Sequence, residues 1–210
     1  SYRSQAVLAV YLERQDRVIS ILTVADRLVH QAIHQVLAPV IDKFLHSANY
    51  SYRSGRGAIQ ASLDMHQELK KEKYPLVLRC DVRKFFDEID QSILLDLLAH
   101  VLGDNAQHTL RLVARIMRGE ILENGRLTMK TKGICQGSSL SPLLSNLYLT
   151  PLDRYLEKRG VRHFRFCDDL AILLPNTQEA NSVQKDVEEF LRQIKLELKA
   201  EKTCLYSFRE

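Results

Sequence analysis

The chain has 210 residues, enough to bury a full hydrophobic core in one large domain or in two small lobes. Its composition, 45% hydrophobic and 27% charged, is typical of a globular protein, and no apolar run approaches the roughly 20 residues of a membrane span. The net charge of +4 is compatible with a polyanionic partner, and four cysteines without a CxxC pair argue against a zinc site or disulfide framework, so we expect a cytoplasmic protein with no membrane partner.

Hydrophobic patterning predicts the first elements of the chain. Residues 5–13 are apolar and compatible with a helix, whereas residues 18–24 (VISILTV) are β-branched and predict a strand. The next stretch has apolar residues at helical spacing, with Asp26 as its predicted N-cap. The basic, glycine-containing turn SYRSGRGAIQA then opens a helix that runs toward Lys73.

The middle of the chain predicts a buried strand, two helices and a hairpin. The strand covers residues 76–82 (LVLRCDV), and its period of two places Asp81 on the same face as Val77 and Arg79. Asp90 is the predicted cap of a leucine-rich helix, and residues 105–118 predict a second helix. The Asn-Gly pair in ENGRLTMKTKG predicts a turn between two short polar strands.

The last part of the chain predicts a long helix, a hairpin, an amphipathic helix and a short strand. Ser141-Pro142 begins the long helix, which ends near Gly160. Asp168 and Asp169 then stand between two apolar, strand-like runs, and residues 203–208 form the final strand. These elements predict an α+β fold in which helices back a small antiparallel sheet.

The Asp168-Asp169 doublet admits two interpretations. Adjacent aspartates favour tight turns, so the doublet by itself fits an ordinary hairpin. Together with Asp81 at the end of a buried strand, it also fits a site for two divalent cations roughly 3.5–4 Å apart that activate a 3′-hydroxyl and hold a triphosphate. Magnesium typically takes one or two protein carboxylates, together with water and substrate phosphates.

Two further segments suit nucleotide chemistry. Phe86 follows Asp81 by five residues, where an aromatic ring can pack beneath a nucleotide sugar. Gln136 and Gly137 precede a helix start in GICQGSSLSPLLSNLYL. A glycine there lets the backbone approach a base pair closely, and a helix N-terminus favours anions.

Jointly these segments resemble the motifs of reverse transcriptases, in the order of that family. RCDVRKFFDEID, GICQGSSLSPLLSNLYL and FCDD resemble motifs A, B and C of the bacterial, group II intron-like branch, which includes CRISPR-associated enzymes. LELKAEKTCL resembles motif D, and ILTVADRLVHQAI and SYRSGRGAIQA resemble finger motifs. The resemblance implies a polymerase palm over residues 76–210, with a finger-like insertion at 100–132, and a helical and β-stranded fingers subdomain over 1–75.

The resemblance also implies residue roles. Asp81, Asp168 and the backbone carbonyl of Val82 would bind Mg²⁺, for which Mn²⁺ is a possible substitute, and Asp169 would complete this metal-binding acidic cluster. The three aspartates would be the catalytic residues. Phe86 matches the steric gate against a ribose 2′-hydroxyl. The other residues implied to contact the incoming nucleotide are Arg27, Lys84, Phe85, Gln136, Gly137 and Lys202. Those implied to contact nucleic acid are Tyr52, Arg53 and Arg56.

Simpler roles remain open for several of these residues. Phe86 beside Phe85 also fits a core position, Arg27 a partner of Asp26, and Lys202 a solvated surface charge. The sequence departs from the family pattern at positions that bear on fidelity and substrate fit rather than on metal binding. These departures are Leu22 and Cys135 in place of proline, Ser138 in place of glycine, Phe166 in place of tyrosine, and Cys167 in place of a smaller residue.

The resemblance implies an RNA-directed DNA polymerase that uses an RNA template, a DNA primer and deoxynucleoside triphosphates. The alternatives are a maturase-like RNA-binding scaffold without polymerisation and another palm-type nucleotidyltransferase. Family members usually continue past motif D into a helical thumb, and eight residues follow Lys202 here. We therefore expect no thumb in this chain, weak activity by itself, and further domains in a longer protein, such as a thumb and an integrase or endonuclease.

Overall fold

The computed structural model describes residues 2–12 and 17–208 and has the predicted α+β class. The strands are β1 (Val7–Leu12), β2 (Arg17–Ile21), β3 (Leu76–Asp81), β4 (Glu120–Glu123), β5 (Arg126–Met129), β6 (Arg162–Phe166), β7 (Asp169–Leu174) and β8 (Cys204–Ser207). The helices are α1 (Val24–Ile41), α2 (Ala58–Leu69), α3 (Phe85–Glu88), α4 (Gln91–Leu102), α5 (Gln107–Met117), α6 (Leu140–Lys158) and α7 (Thr177–Gln193). None of the helices in these described ranges is long and apolar enough to cross a membrane.

The chain divides into two units that alternate along the sequence. The first unit comprises Ser1–Phe44 and Phe86–Tyr148, and the second comprises Leu45–Phe85 and Leu149–Glu210. Two of the three boundaries therefore fall inside α3 and α6, and the third lies between Phe44 and Leu45. The functional division into fingers at 1–75 and palm at 76–210 stays a prediction.

The second unit contains a sheet with the strand order β6-β7-β3-β8, antiparallel throughout. The predicted period of two in β3 is confirmed by the register, which pairs Val77 with Leu173 and Asp81 with Asp169. On that face, α2 covers an apolar cluster formed by Tyr50, Val77, Phe164 and Leu173. α7 packs against β3 and β7, with Val183, Val187 and Leu191 buried.

The first unit contains a second sheet, in the order β2-β1-β4-β5, and the helices α1, α4 and α5. The predicted helix over residues 5–13 is wrong, because Val7–Leu12 forms β1, antiparallel to β2 and parallel to β4. The predicted N-cap Asp26 is also wrong. Thr23 caps α1, because its Oγ1 accepts the Asp26 amide at 3.2 Å, and it donates to the Asp26 carboxylate at 2.7 Å.

Other local predictions in the first unit are confirmed. The Asp90 side chain caps α4 by accepting from the Ser92 and Ile93 amides. Asn124 and Gly125 both have positive φ, at 50° and 78°, as a type I′ turn requires between β4 and β5.

Candidate active site

Two of the predicted aspartates face each other across neighbouring strands of the second unit. Asp81 ends β3 and Asp169 begins β7, and the two residues are directly paired in the register. Directly opposed residues of an antiparallel pair lie on the same face, with Cβ atoms about 4.5–5.5 Å apart. Farther from this end, the same face is apolar and lies under α2. Along this face, β3 and β7 are therefore apolar under α2 and acidic at Asp81 and Asp169. The acidic end lies beside the turn between β6 and β7.

The third aspartate lies in the two-residue turn that joins β6 to β7. Phe166 pairs with Asp169, so Cys167 and Asp168 form the turn. Cys167 has a φ of 59°, which is uncommon for a residue other than glycine. Burial raises the pKa of Asp168, and the carboxylates of Asp81 and Asp169 act in the same direction. The three predicted carboxylates therefore lie in one electrostatic neighbourhood, where a cation would relieve their repulsion.

Basic side chains contact two of these carboxylates. Arg79 donates to both oxygens of Asp169, at 3.0 Å from Nε and 2.6 Å from Nη2. Lys202 Nζ donates to Asp81 at 3.0 Å. Within residues 2–12 and 17–208, no three His, Cys, Asp or Glu side chains converge in a way that could hold a metal ion. The structure therefore brings the aspartates to one place but does not arrange all three as ligands.

The backbone next to Asp81 is held by the segment that precedes Lys202. The Lys199 amide donates to the Asp81 carbonyl at 2.7 Å, and the Arg83 amide donates to the Glu197 carbonyl at 2.8 Å. Neither bond uses the carbonyl of Val82, the predicted metal ligand. Lys84 has a φ of 43° and directly precedes the helical, buried Phe85. A residue in the left-handed conformation next to one in the right-handed helical conformation brings successive backbone N–H groups together, as in anion-binding turns.

The predicted nucleic-acid contacts lie in a loop that docks on β6. Tyr52 is 56% exposed, has a φ of 53°, and contacts the ring of Phe166 with centroids 6.2 Å apart. Arg53 Nη1 donates to the His46 and Asn49 carbonyls, and Arg56 donates to the Ser47 carbonyl. The two arginines thus stabilise their own loop, and their contact with a template stays a prediction.

In the first unit, Gln136 and Gly137 lie against β2. The Ser20 amide donates to the Gln136 carbonyl at 2.6 Å, and the Gln136 side chain lies 3.4 Å from the Asp87 carboxylate. Gly137 has a φ of 122°, and a Cβ there would overlap the Ser20 carbonyl oxygen. Both the backbone conformation and the close approach of β2 therefore require glycine at this position.

Arg27 and Gly137 line one cleft of about 360 Å³ in the first unit. Arg27 Nε donates to the Leu22 carbonyl at 3.1 Å. His30 is buried in the wall, with Nδ1 2.8 Å from the Ser138 hydroxyl, while its Nε2 has no hydrogen-bond partner among the described residues. Phe86 is half-buried, and its carbonyl accepts from the Ile134 amide at 2.8 Å. Sequence reasoning named Arg27, Phe86 and Gly137 but assigned no role to His30.

Two charged residues were not predicted from the sequence: one contacts the turn that carries Asp168, and the other is its ion-pair partner. Arg165 and Asp153 form a bidentate ion pair in which both side chains are fully buried, and Arg165 also donates to the Cys167 carbonyl. The available signal was Arg165 within the apolar segment HFRFC, and Asp153, next to Arg154, within the mostly apolar segment YLTPLDRYL. Because a buried charge needs a partner, Arg165 and Asp153, if buried, each predict a buried residue of opposite charge nearby.

Comparison with known proteins identifies the family. The reverse transcriptase (RNA-dependent DNA polymerase) family matches residues 13–209. The chain belongs to the reverse transcriptase family. The group II intron-encoded protein LtrA of Lactococcus lactis subsp. cremoris is 24% identical over 204 residues, which are 95% of this chain and 33% of LtrA. Protein YkfC of Escherichia coli (strain K12) is 26% identical over 164 residues, which are 75% of this chain and 42% of YkfC. The chain thus spans less than half the length of these relatives.

Solved structures share the fold of this reverse transcriptase chain. An apo telomerase from Candida tropicalis, truncated from its C-terminal domain, matches with a TM-score of 0.72 at 15% identity over 98% of this chain and 50% of that one. A chain of a partial Cas6-RT-Cas1–Cas2 complex matches with a TM-score of 0.51 at 28% identity over 92% of this chain and 33% of that one. The predicted relation to group II intron-like and CRISPR-associated reverse transcriptases is confirmed.

Proposed function

We propose that this chain is the polymerase portion of an RNA-directed DNA polymerase that adds deoxynucleotides to a DNA primer on an RNA template. The observation that carries the proposal is the pairing of Asp81 with Asp169 beside the Asp168 turn, within a chain of the reverse transcriptase family. The proposed partners also include further domains of a longer protein, among them a thumb and an integrase or endonuclease.

The proposed metal is Mg²⁺, with Mn²⁺ as a substitute, held by Asp81, Asp168 and the Val82 carbonyl. Two carboxylates fit the number that magnesium usually takes from protein. The raised pKa of Asp168, which is due to burial and to the Asp81 and Asp169 carboxylates, marks an excess of negative charge that suits a cation. Bound divalent ions would activate the primer 3′-hydroxyl and neutralise the triphosphate.

The remaining roles are assigned to the chain's own side chains and backbone. Asp169, which is bound by Arg79, would add negative potential at the site rather than bind the metal directly. Lys202 would lie near the leaving pyrophosphate, and the Lys84 and Phe85 amides would donate to phosphate oxygens. Arg27, Phe86, Gln136 and Gly137 would bind the incoming nucleotide. The exposed Tyr52, with Arg53 and Arg56, would contact the nucleic acid.

Replacing Asp168 by Asn tests the proposed polymerase activity. The measurement is addition of a single deoxynucleotide to a primer on an RNA template, in Mg²⁺ and in Mn²⁺. We expect a loss of at least about a hundredfold, since metal-mediated charge stabilisation is worth several kcal/mol. Asp186→Asn, which removes a carboxylate that pairs with Arg159 elsewhere in the second unit, is the matched control.

The outcomes separate the candidate functions. Equal synthesis by the parent and Asp168→Asn would refute the proposal. RNA binding without any metal-dependent synthesis by the parent would favour the maturase-like scaffold. Incorporation that ignores the template sequence would favour another palm-type nucleotidyltransferase.

Replacing Phe86 by Ala tests the proposed selection of deoxynucleotides. If the ring excludes a 2′-hydroxyl, the ratio of ribonucleotide to deoxyribonucleotide incorporation should rise at least about tenfold, which corresponds to roughly 1.4 kcal/mol of discrimination. The control is Phe44→Ala, because Phe44 lies elsewhere in the first unit, against His100. An unchanged ratio would remove the gate role from Phe86.

A further inference from the structure

The turn that carries Asp168 is held on both sides of Cys167 by side chains of the second unit. Arg165 Nη1 donates to the Cys167 carbonyl at 3.0 Å, and the Cys167 amide donates to Ser51 Oγ at 2.9 Å. Cys167 itself has the left-handed φ of 59°. A residue other than glycine keeps such a conformation only where its surroundings determine it. Here the two-residue hairpin turn and these two hydrogen bonds together supply that determination.

The guanidinium of Arg165 is fixed by its other contacts. Nε and Nη2 donate to the Asp153 carboxylate at 2.8 Å and 2.6 Å, and both side chains are 0% exposed. The Arg165 backbone is fixed as well, because its amide donates to the Ala48 carbonyl at 2.7 Å and its carbonyl accepts the Tyr50 amide at 2.9 Å. The rigid, planar fork of an arginine can hold a carboxylate on one edge and a carbonyl on another at the same time.

Stability alone does not account for this pair. Apolar residues of similar volume often replace a buried ion pair with no loss of stability, or with a gain. What an apolar residue at position 165 would lack is the N–H group directed at the Cys167 carbonyl. The register places Arg165 on the face of β6 opposite to Phe166, and Phe166 pairs with Asp169. Arg165 therefore acts on the turn from behind the acidic face.

We propose that Arg165 is a positioning residue that sets the orientation of Asp168. Asp153 aligns the guanidinium, the guanidinium fixes the Cys167 carbonyl, and Ser51 fixes the Cys167 amide. The turn that carries Asp168 then has one backbone geometry before any cation binds. The inference rests on the proposed polymerase function and extends it to residues that touch neither metal nor substrate.

The decisive variant replaces both buried partners, as Arg165→Met with Asp153→Leu. The two substitutions remove the carboxylate and the guanidinium together, and His163, whose Nε2 lies 3.4 Å from the Asp153 carboxylate, loses only that neighbour, so the thermal midpoint should stay within a few degrees of the parent. We expect the dissociation constant for Mn²⁺ alone, measured by electron paramagnetic resonance, to rise at least about fivefold. We also expect kcat for single-nucleotide addition to fall at least about tenfold, with KM for template-primer unchanged.

Two single variants complete the test. Ser51→Ala removes the acceptor of the Cys167 amide, and we expect it to weaken Mn²⁺ binding and lower kcat about threefold each. Arg159→Met is the matched control: Arg159 joins the end of α6 to α7 through Asp186 and Glu179, away from the turn. It should leave Mn²⁺ binding and kcat at parental values.

A folded double variant with parental Mn²⁺ affinity and parental kcat would overturn the proposal. If the double variant does not fold, Ser51→Ala decides, and parental values in that variant overturn the proposal equally. The Mn²⁺ measurement requires no synthesis, so it tests Arg165 separately from the reaction. If Asp168→Asn loses synthesis but the double variant and Ser51→Ala keep parental values, the proposed polymerase function is supported and this inference fails.

Discussion

The two faces of the β6-β7-β3-β8 sheet each contain an arginine–aspartate pair, and the pairs differ in exposure. On the acidic face, Arg79 Nη2 lies 2.6 Å from Asp169 Oδ2, and the two side chains are 50% and 38% exposed. On the opposite face, Arg165 and Asp153 are also 2.6 Å apart, but both side chains are 0% exposed. The same chemical pair with the same separation therefore occurs in water and in the core.

Solvent changes what each pair can do. The exposed pair gains little, because water and salt compete for both charges, so its members can exchange partners when a cation or phosphate arrives. The members of the buried pair have no water or ions to exchange with, and losing either one leaves an unpaired charge in the core. The acidic face is therefore suited to binding, whereas the opposite face is suited to holding a fixed geometry.

The largest effect should come from breaking the buried pair on one side only. Asp153→Asn leaves the Arg165 guanidinium without its counter-charge, and we expect the free energy of unfolding to fall by roughly 3–5 kcal/mol. Urea denaturation measures this change. Asp169→Asn, which breaks the exposed pair, should cost less than about 1 kcal/mol. Equal costs for the two variants would abolish the distinction between the faces.

This distinction was only half accessible from the sequence. The period of two in LVLRCDV correctly placed Arg79 and Asp81 on one face, and the doublet correctly predicted a hairpin, although the turn itself is Cys167-Asp168 and Asp169 begins β7. The buried pair was missed, because Asp153 comes from a helix and Arg165 from a strand 12 residues later. Their meeting depends on how α6 lies against β6, which no local pattern encodes.

The same limit explains the error at the N-terminus. The apolar run VLAVYL does not alternate with polar residues, so its period does not separate a strand from a helix. Its strand conformation comes from pairing with β2 and, far along the chain, with β4, where Val7 aligns with Ile121. Long-range pairing therefore overrode the local pattern, as it often does for strands.

The second prediction concerns the pH dependence of the buried pair. Burial acts to raise the pKa of Asp153, but the Arg165 charge, the hydrogen bonds from Arg165 and the nearby His163 ring outweigh it, so the pKa is lowered. A lowered pKa means that the pair stabilises the fold above the ordinary aspartate pKa of about 3.9 and that this stability is lost as pH falls through the folded value.

Comparing the parent with Asp153→Asn by urea denaturation across pH measures this linkage. The difference in unfolding free energy should be constant between about pH 7 and pH 5. Below about pH 4 it should shrink, by at most roughly 1.4 kcal/mol per pH unit, because one proton is linked to unfolding. A difference that instead shrinks between pH 7 and pH 5 would show that a group other than Asp153 controls the stability of the pair.

The smallest effect on stability, and the sharpest test of the acidic face, should come from Arg79→Gln. The guanidinium contacts Asp169 in solvent, so its removal should change the free energy of unfolding by less than about 1 kcal/mol. It should also remove a positive charge that acts on Asp81 and release the Asp169 carboxylate. Mn²⁺ affinity should therefore rise about three- to tenfold, a change of roughly 0.7–1.4 kcal/mol.

Arg83→Gln supplies the control, because Arg83 is similarly exposed and its ion pair, at 4.0 Å, is with Glu197 rather than with Asp169. It should leave Mn²⁺ affinity within about twofold of the parent. Weaker Mn²⁺ binding in Arg79→Gln would mean that Arg79 holds Asp169 in a geometry that the metal needs. The exposed pair would then fix the geometry of the acidic face as the buried pair does on the opposite face, and exposure would no longer separate the two.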